Sequence, residues 1–192
     1  MEAKRETSFI RRYKEMLPLS ECQKFIDYFN FATQKGNVGI SSGGEDNGGG
    51  INRTDTAIFL DRANPDLNGV VNRILENCWH QYVREFSFLS NVTVVTYASK
   101  MQRTPPSGGF HMWHWEHARP HMNRDRMAVW TLYLTTHEDE GETEFLAHGL
   151  KVPAIAGDVC IFPADYTGVH RGNPVYTKDK YIVTGWFEYA PD

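Results

Sequence analysis

The sequence predicts a mainly β fold with helices near its N-terminus, and three observations point to it. Apolar residues recur at helical spacing in two stretches, both before residue 90. From Val92 onward the chain breaks into short β-rich runs separated by Gly, Pro, Asn and Asp. Aromatic residues, 13% of the chain, crowd the second half, as suits strands. Helices followed by many short strands read as helices packed on a β-sandwich or jelly roll.

Residues 8–14 suit a short opening strand. Ser20 to Gln23 reads as a capping box with Ser20 as N-cap, and Cys22, Phe25, Ile26 and Phe29 follow as one helical stripe. The run 41–50 (SSGGEDNGGG) predicts a mobile loop, either a loose connector or a flap over a site. Thr56–Leu60 looks like a strand. Pro65 then suits a first helical position, and Leu67, Val70, Val71, Ile74, Leu75, Cys78 and Tyr82 keep helical spacing. Val92–Tyr97, Ala128–Leu134, Gly157–Phe162 and Lys180–Phe187 are the principal strands, and no internal repeat is visible.

A chain of 192 residues with 41% hydrophobic and 23% charged residues can build a core without disulfides or a structural metal. It reads as one domain over 1–192, with 1–90 supporting a core at 91–192. The formal net charge of −4 argues against nucleic acid or an anionic membrane as partner. No apolar run reaches bilayer-spanning length and the N-terminus lacks a signal-peptide core. Cys22, Cys78 and Cys160 form no CxxC pair, so neither a disulfide framework nor a thiolate zinc site is expected. A cytoplasmic setting is the default expectation.

Seven of the eight histidines follow residue 110, four of them within His111–His121. On an extended strand, residues i and i+2 point to the same side, so His114 and Glu116 can grip one ion as a pair. His170, just after a strand and turn, is the best-placed third ligand. Two histidines and a carboxylate on one face leave three positions open, the mark of non-haem Fe(II) oxygenases. The same set with tetrahedral geometry would serve catalytic zinc. His111, His117 and His121 are alternative ligands whose plainer role is hydrogen bonding at a rim. His80, His137 and His148 carry no partner pattern and read as structural or solvated.

Lys180 opens the last strand and shares a face with Ile182, Thr184 and Trp186. A lysine facing a barrel interior is expensive unless an anion neutralises it. The periodicity equally permits an outward Lys180 with Tyr181 and Val183 turned inward.

The ordered set Val94–Tyr97, His114–Glu116, Thr131–Leu134, Gly141–Phe145, Pro153, Gly157–Asp158, Phe162, His170, Pro174–Val175, Lys180–Tyr181 and Trp186 resembles a known family. It is similar to the prolyl 4-hydroxylase-like branch of the 2-oxoglutarate- and Fe(II)-dependent dioxygenases. Leu19–Cys22 and Arg53–Thr54 resemble the family's first helix and early strand. The resemblance implies a double-stranded β-helix (jelly-roll) core holding Fe(II) through His114, Glu116 and His170. It also implies 2-oxoglutarate and O2 as cosubstrates and hydroxylation of a C–H bond, with an ascorbate requirement often attached. By the same resemblance Lys180 pairs with the distal carboxylate of 2-oxoglutarate, helped by Tyr97, with Tyr133, Thr143 and Thr184 in the pocket. The implied substrate is a prolyl residue in a peptide or protein, with a free amino acid or other small molecule as the alternative.

Two features depart from the family. Glu116 stands where Asp is usual, and its extra methylene shifts the carboxylate by roughly a bond length. The stretch between Tyr97 and His114 is longer, and Pro105–Pro106 with Gly108–Gly109 suggests a lid or a passive surface loop. Residues 41–50 and 99–110 are expected to flank the pocket mouth. The rival from another class is a non-catalytic, cupin-like metal or small-molecule binding protein; the apparent presence of both the triad and the basic residue favours the enzyme. A zinc hydrolase would need a further general base, and a nucleic-acid demethylase a basic stripe. Oligomeric state is not legible.

Overall fold

A computed structural model describes residues 8–36, 39–40, 54–117 and 123–191. The glycine-rich run 41–50, Arg53 and His121 lie outside the described residues. Strand β1 (Arg11–Tyr13) leads into helix α1 (Leu19–Gln34), and β2 (Gly39–Ile40) precedes β3 (Thr56–Phe59). Helices α2 (Leu60–Ala63) and α3 (Pro65–Glu85) follow. The β region then comprises β4 (Val94–Thr104), β5 (Arg126–Tyr133), β6 (Thr143–Phe145), β7 (Leu150–Val152), β8 (Val159–Pro163), β9 (His170–Gly172) and β10 (Lys180–Tyr189).

Among the described residues the strands form two antiparallel sheets, β1-β8-β5-β10-β4-β3-β2 and β7-β6-β9. Strand alternation divides the core in two. Ala128, Trp130 and Leu132 of β5, Val159 and Ile161 of β8, and Tyr181, Val183 and Phe187 of β10 face Phe25 and Phe29 of α1 and Val71, Leu75 and Cys78 of α3. The opposite face carries Val129, Tyr133, Cys160 and Phe162 toward Phe145 and Val152 of the smaller sheet. The larger sheet is therefore buried on both sides, with helices behind it and a jelly-roll interior in front. That answers the ambiguity at β10. Tyr181 and Val183 turn to the helices, and Lys180 turns to the interior.

The helical stripes sit where the spacing puts them, but the first cap differs. Helix α1 begins at Leu19 with Pro18 as N-cap, whose carbonyl accepts from Glu21 and Cys22. Proline's fixed φ, here −59°, starts the turn one residue earlier than a Ser20 cap would. Gln23 donates instead to Asp27 one turn on. At α3, Asn64 caps the helix by accepting from the Leu67 amide at 3.1 Å, and Pro65 fills the first turn. Asn64→Ala should lower stability by about 1 kcal/mol, read as a shift in urea midpoint at unchanged slope.

Two expectations are corrected. Residues 99–104 are strand, not loop, because β4 continues to Thr104 between β3 and β10 and both neighbours pair with it. Leu60 starts α2 rather than ending β3. The three-residue strands β6, β7 and β9 of the smaller sheet are too short for a period-2 signal. Downstream of β4, Ser107 donates to Val175 and Gly109 to Thr54, which pins the 105–113 segment.

Gly157 joins this frame at a position no other residue fits well. Its φ is +88°, and a Cβ there would stand 2.3 Å from the Leu17 carbonyl oxygen. Next to it, buried Asp158 accepts from Arg12 and from the Glu15 amide, tying β1 to β8. The three cysteines are buried and unpaired. No described helix is long and apolar enough to cross a membrane.

Candidate metal centre

His114 and His170 meet through a two-way backbone bridge, His114 N to His170 O at 3.0 Å and the reverse at 2.9 Å. This places β9 beside the segment that follows the 105–113 loop. The chain then turns, and the Ala164 carbonyl receives the amides of both Glu116 and His117. Backbone hydrogen bonds thus set all three residues before their side chains are considered. The imidazole rings stand 4.3 Å apart, and His114 Nε2 lies 3.6 Å from Glu116 Oε1. One donor atom from each of His114, Glu116 and His170 falls within 4.8 Å of the others.

The ring nitrogens have separate tasks. His114 Nδ1 is 2.8 Å from the Met112 carbonyl, and His170 Nδ1 is 3.0 Å from that of Gly168. A carbonyl accepts only, so Nδ1 carries the proton in each and Nε2 keeps its lone pair for a metal. Phe162 lies edge-on to His170 at 4.6 Å and Phe110 edge-on to His114 at 4.8 Å, giving the pair apolar walls. Burial lowers the His170 pKa to about 4, with a smaller contribution from neighbouring His114 and smaller opposing ones from Glu116 and the Gly168 carbonyl. For Glu116, burial raises the pKa, but the neighbouring His114, His170 and Arg126 prevail and lower it to about 2. A neutral imidazole and an ionised carboxylate are the forms a divalent ion requires. The donor set and its outer hydrogen bonds fit a mononuclear Fe(II) site with open positions.

The interior face of β10 holds the second group. Lys180 is 7% exposed and its Nζ donates to the Gly141 carbonyl at 2.5 Å. The ammonium stands 5.7 Å from the Tyr133 ring centroid, and the Tyr133 hydroxyl is hydrogen-bonded to Thr143 Oγ1 at 2.7 Å. Lys180, Tyr133 and Thr143 are therefore one cluster. Thr184 lies farther along the same face and donates to the Trp130 carbonyl at 2.8 Å, with Thr131 Oγ1 at 3.2 Å. Tyr97 is 55% exposed, opposite Trp186 where the β4–β10 register shifts.

Burial pushes the Lys180 ammonium from its usual 10.5 down to about 8, with Glu142 opposing. Below pH 8 the side chain is a cation ready for a carboxylate; above it the charge is lost. Dicarboxylate affinity should therefore fall as pH rises through 8, and binding there should take up protons. Calorimetry in buffers of different ionisation heat reads both. The sign for folding is opposite: the buried cation weakens the unliganded fold at neutral pH, and that penalty fades between about 8 and 10.5.

Three further histidines have backbone or structural partners, while His80 and His148 are exposed. His111 Nδ1 meets the Gly172 carbonyl and His117 Nε2 that of Arg124. His137 is buried between Thr135 and Glu140, and Glu140 accepts from the amides of Tyr176 and Thr177 and from the Thr177 hydroxyl, which fixes the segment before β10. Arg126, which sequence reasoning passed over, reaches Glu116 Oε2 at 3.0 Å. Its only sequence signal is a basic residue opening a strand.

The family profile of the 2OG-Fe(II) oxygenase superfamily matches residues 92–188, half of the chain. The chain belongs to the 2OG-Fe(II) oxygenase superfamily. It is accordingly an Fe(II)- and 2-oxoglutarate-dependent dioxygenase that hydroxylates its substrate with O2. Among curated proteins no sequence matches it. In fold, this superfamily member is similar to the viral collagen prolyl hydroxylase of Paramecium bursaria Chlorella virus-1, solved as a 2OG complex. The two are 19% identical, with a TM-score of 0.67 over 98% of this chain and 100% of the other. A Pseudomonas putida prolyl-4-hydroxylase is 20% identical, with a TM-score of 0.67 over 96% of this chain and 95% of that one. A Trichoplax adhaerens prolyl hydroxylase, solved with a hypoxia inducible factor peptide fragment, is 17% identical, with a TM-score of 0.72 over 95% and 84%.

Proposed function

We propose that the chain hydroxylates a prolyl residue in a peptide or protein, with His114, Glu116 and His170 holding Fe(II) and Lys180 holding the distal carboxylate of 2-oxoglutarate. The carrying observation is a buried lysine whose ammonium stands 5.7 Å from the ring of Tyr133, itself hydrogen-bonded to Thr143, on the same inter-sheet side as the His/Glu/His cluster. Once bound, Fe(II) and 2-oxoglutarate supply O2 activation, with oxidative decarboxylation to succinate and CO2. The protein's part is positional. Met112 O and Gly168 O hold the two imidazoles with Nε2 toward the ion. Lys180 orients the cosubstrate from its far end, and Tyr133 and Thr143 line that end, with Thr184 farther along the same strand face. Phe145, Phe162 and Phe110 keep water from the reacting face.

A polypeptide substrate is supported by the rim. Met112 and Trp115 flank His114 and are 53% and 42% exposed, and Arg171 lies 4.4 Å over the Trp113 ring. Open apolar and aromatic side chains beside the triad suit an extended chain lying across the mouth. The three fold relatives named above are prolyl hydroxylases, one of them solved with a peptide.

Anaerobic titration with Fe(II) and 2-oxoglutarate, followed by visible absorption, tests the cosubstrate site. A screen of proline-containing peptides against free amino acids, read as succinate release and a one-oxygen mass gain, tests the substrate. Turnover with free amino acids and none with peptides would overturn the polypeptide reading.

A further inference from the structure

Glu116 carries one methylene more than the aspartate usual in this superfamily, and the structure shows what restrains it. Arg126 opens β5, and the bulge in the β5–β10 register, between Phe187 and Glu188, pairs it with Glu188. Glu188 Oε1 lies 3.7 Å from Arg126 Nε, and the guanidinium carbon stacks 3.5 Å over the Trp186 ring. Held from β10 in this way, Arg126 Nη1 donates to Glu116 Oε2 at 3.0 Å, while Oε1 faces His114 Nε2 at 3.6 Å. Both members of the pair are largely buried, their side chains 17% and 18% exposed. The two carboxylate oxygens therefore have different neighbours and different tasks.

We propose that Arg126 is a positioning residue that confines Glu116 to one metal-facing oxygen. A glutamate free to rotate about its extra bond can bring both oxygens to an ion. That would fill one of the three positions left by a two-histidine, one-carboxylate site, and 2-oxoglutarate plus O2 need all three. By engaging Oε2 in a charge-assisted hydrogen bond, Arg126 keeps the third position open. Trp186 and Glu188 serve by holding the guanidinium in place. The inference rests on the proposed metal assignment and adds how the longer carboxylate remains compatible with it.

The test uses the full chain loaded with Zn(II), a redox-inert stand-in, and infrared difference spectra in which Glu116→Gln identifies the Glu116 carboxylate bands. Wild type should show the wide antisymmetric–symmetric splitting of one-oxygen binding. Arg126→Met should narrow it and weaken 2-oxoglutarate binding to the loaded protein by about 10-fold, as losing an outer partner of a ligand does. In a Glu116→Asp background, where the carboxylate is too short to chelate and still reach Arg126, the same change should cost less than about 2-fold. A merely structural arginine would cost the same in both. If Arg126→Met does not fold, Glu188→Gln, which loosens the guanidinium, should narrow the splitting partly and weaken 2-oxoglutarate several-fold. Unchanged splitting in the folded variants overturns the inference and leaves the metal assignment standing. No shift of any Glu116 band on metal loading overturns the metal assignment, and this inference with it.

Discussion

Replacing His170 with alanine should reduce 2-oxoglutarate turnover to the uncatalysed background while the chain still folds. In the proposed assignment the side chain supplies one of three donors, and its Nδ1 is committed to the Gly168 carbonyl, which leaves Nε2 for metal binding. The bridge between His114 and His170 is made by backbone atoms and survives truncation. His170 packs on Phe162 and Phe145, so alanine leaves a small cavity and should lower stability by about 1–3 kcal/mol, within what a domain tolerates. Succinate release and metal affinity should both collapse, while far-ultraviolet circular dichroism stays native. Full turnover in a folded His170→Ala chain would end the assignment of this residue.

The convergence of His114, Glu116 and His170 was readable because its signal is local and chemical. His114 and Glu116 are only two residues apart and converge, although the chain turns after His114 instead of running on as the expected strand, and His170 follows a recognisable turn. Lys180 was legible as a charge on an alternating strand, but its direction was not. Both faces of β10 are buried, one under helices and one under the smaller sheet, so alternation alone offers two equivalent answers. What decides it is the packing of Tyr181 on Phe29, a contact 152 positions apart in the chain (181 minus 29). Strands β6, β7 and β9 escaped for a different reason. Three residues give no period, and their stability comes from pairing with one another and packing Phe145 under Phe162. Arg126 was invisible because its importance lies in a register shift two strands away from its partner Glu116. Long-range register is the property a single sequence expresses least.

Lys180→Ala should separate cosubstrate binding from metal binding. The ammonium is buried with the Gly141 carbonyl as its hydrogen-bond acceptor, and a carbonyl does not neutralise a charge. An arriving carboxylate does. A hydrogen bond to a charged partner contributes about 1.5–3 kcal/mol, so its loss should weaken 2-oxoglutarate binding by roughly 10- to 150-fold. Fe(II) affinity should change little, since Lys180 touches none of the three donors. Lys180→Arg should recover part of the loss, because the charge survives on a longer, planar fork that the space beside Val175 and Gly141 does not match. Lys180→Met gives the sharpest contrast. It fills the same volume without a buried cation, so the unliganded chain should be at least as stable as wild type while 2-oxoglutarate binding is lost. Burial already disfavours the ammonium enough to bring its pKa to about 8, and removing it relieves that penalty. Equal 2-oxoglutarate affinity in wild type and both neutral variants would detach Lys180 from the cosubstrate and return it to a role in fixing the Gly141 turn.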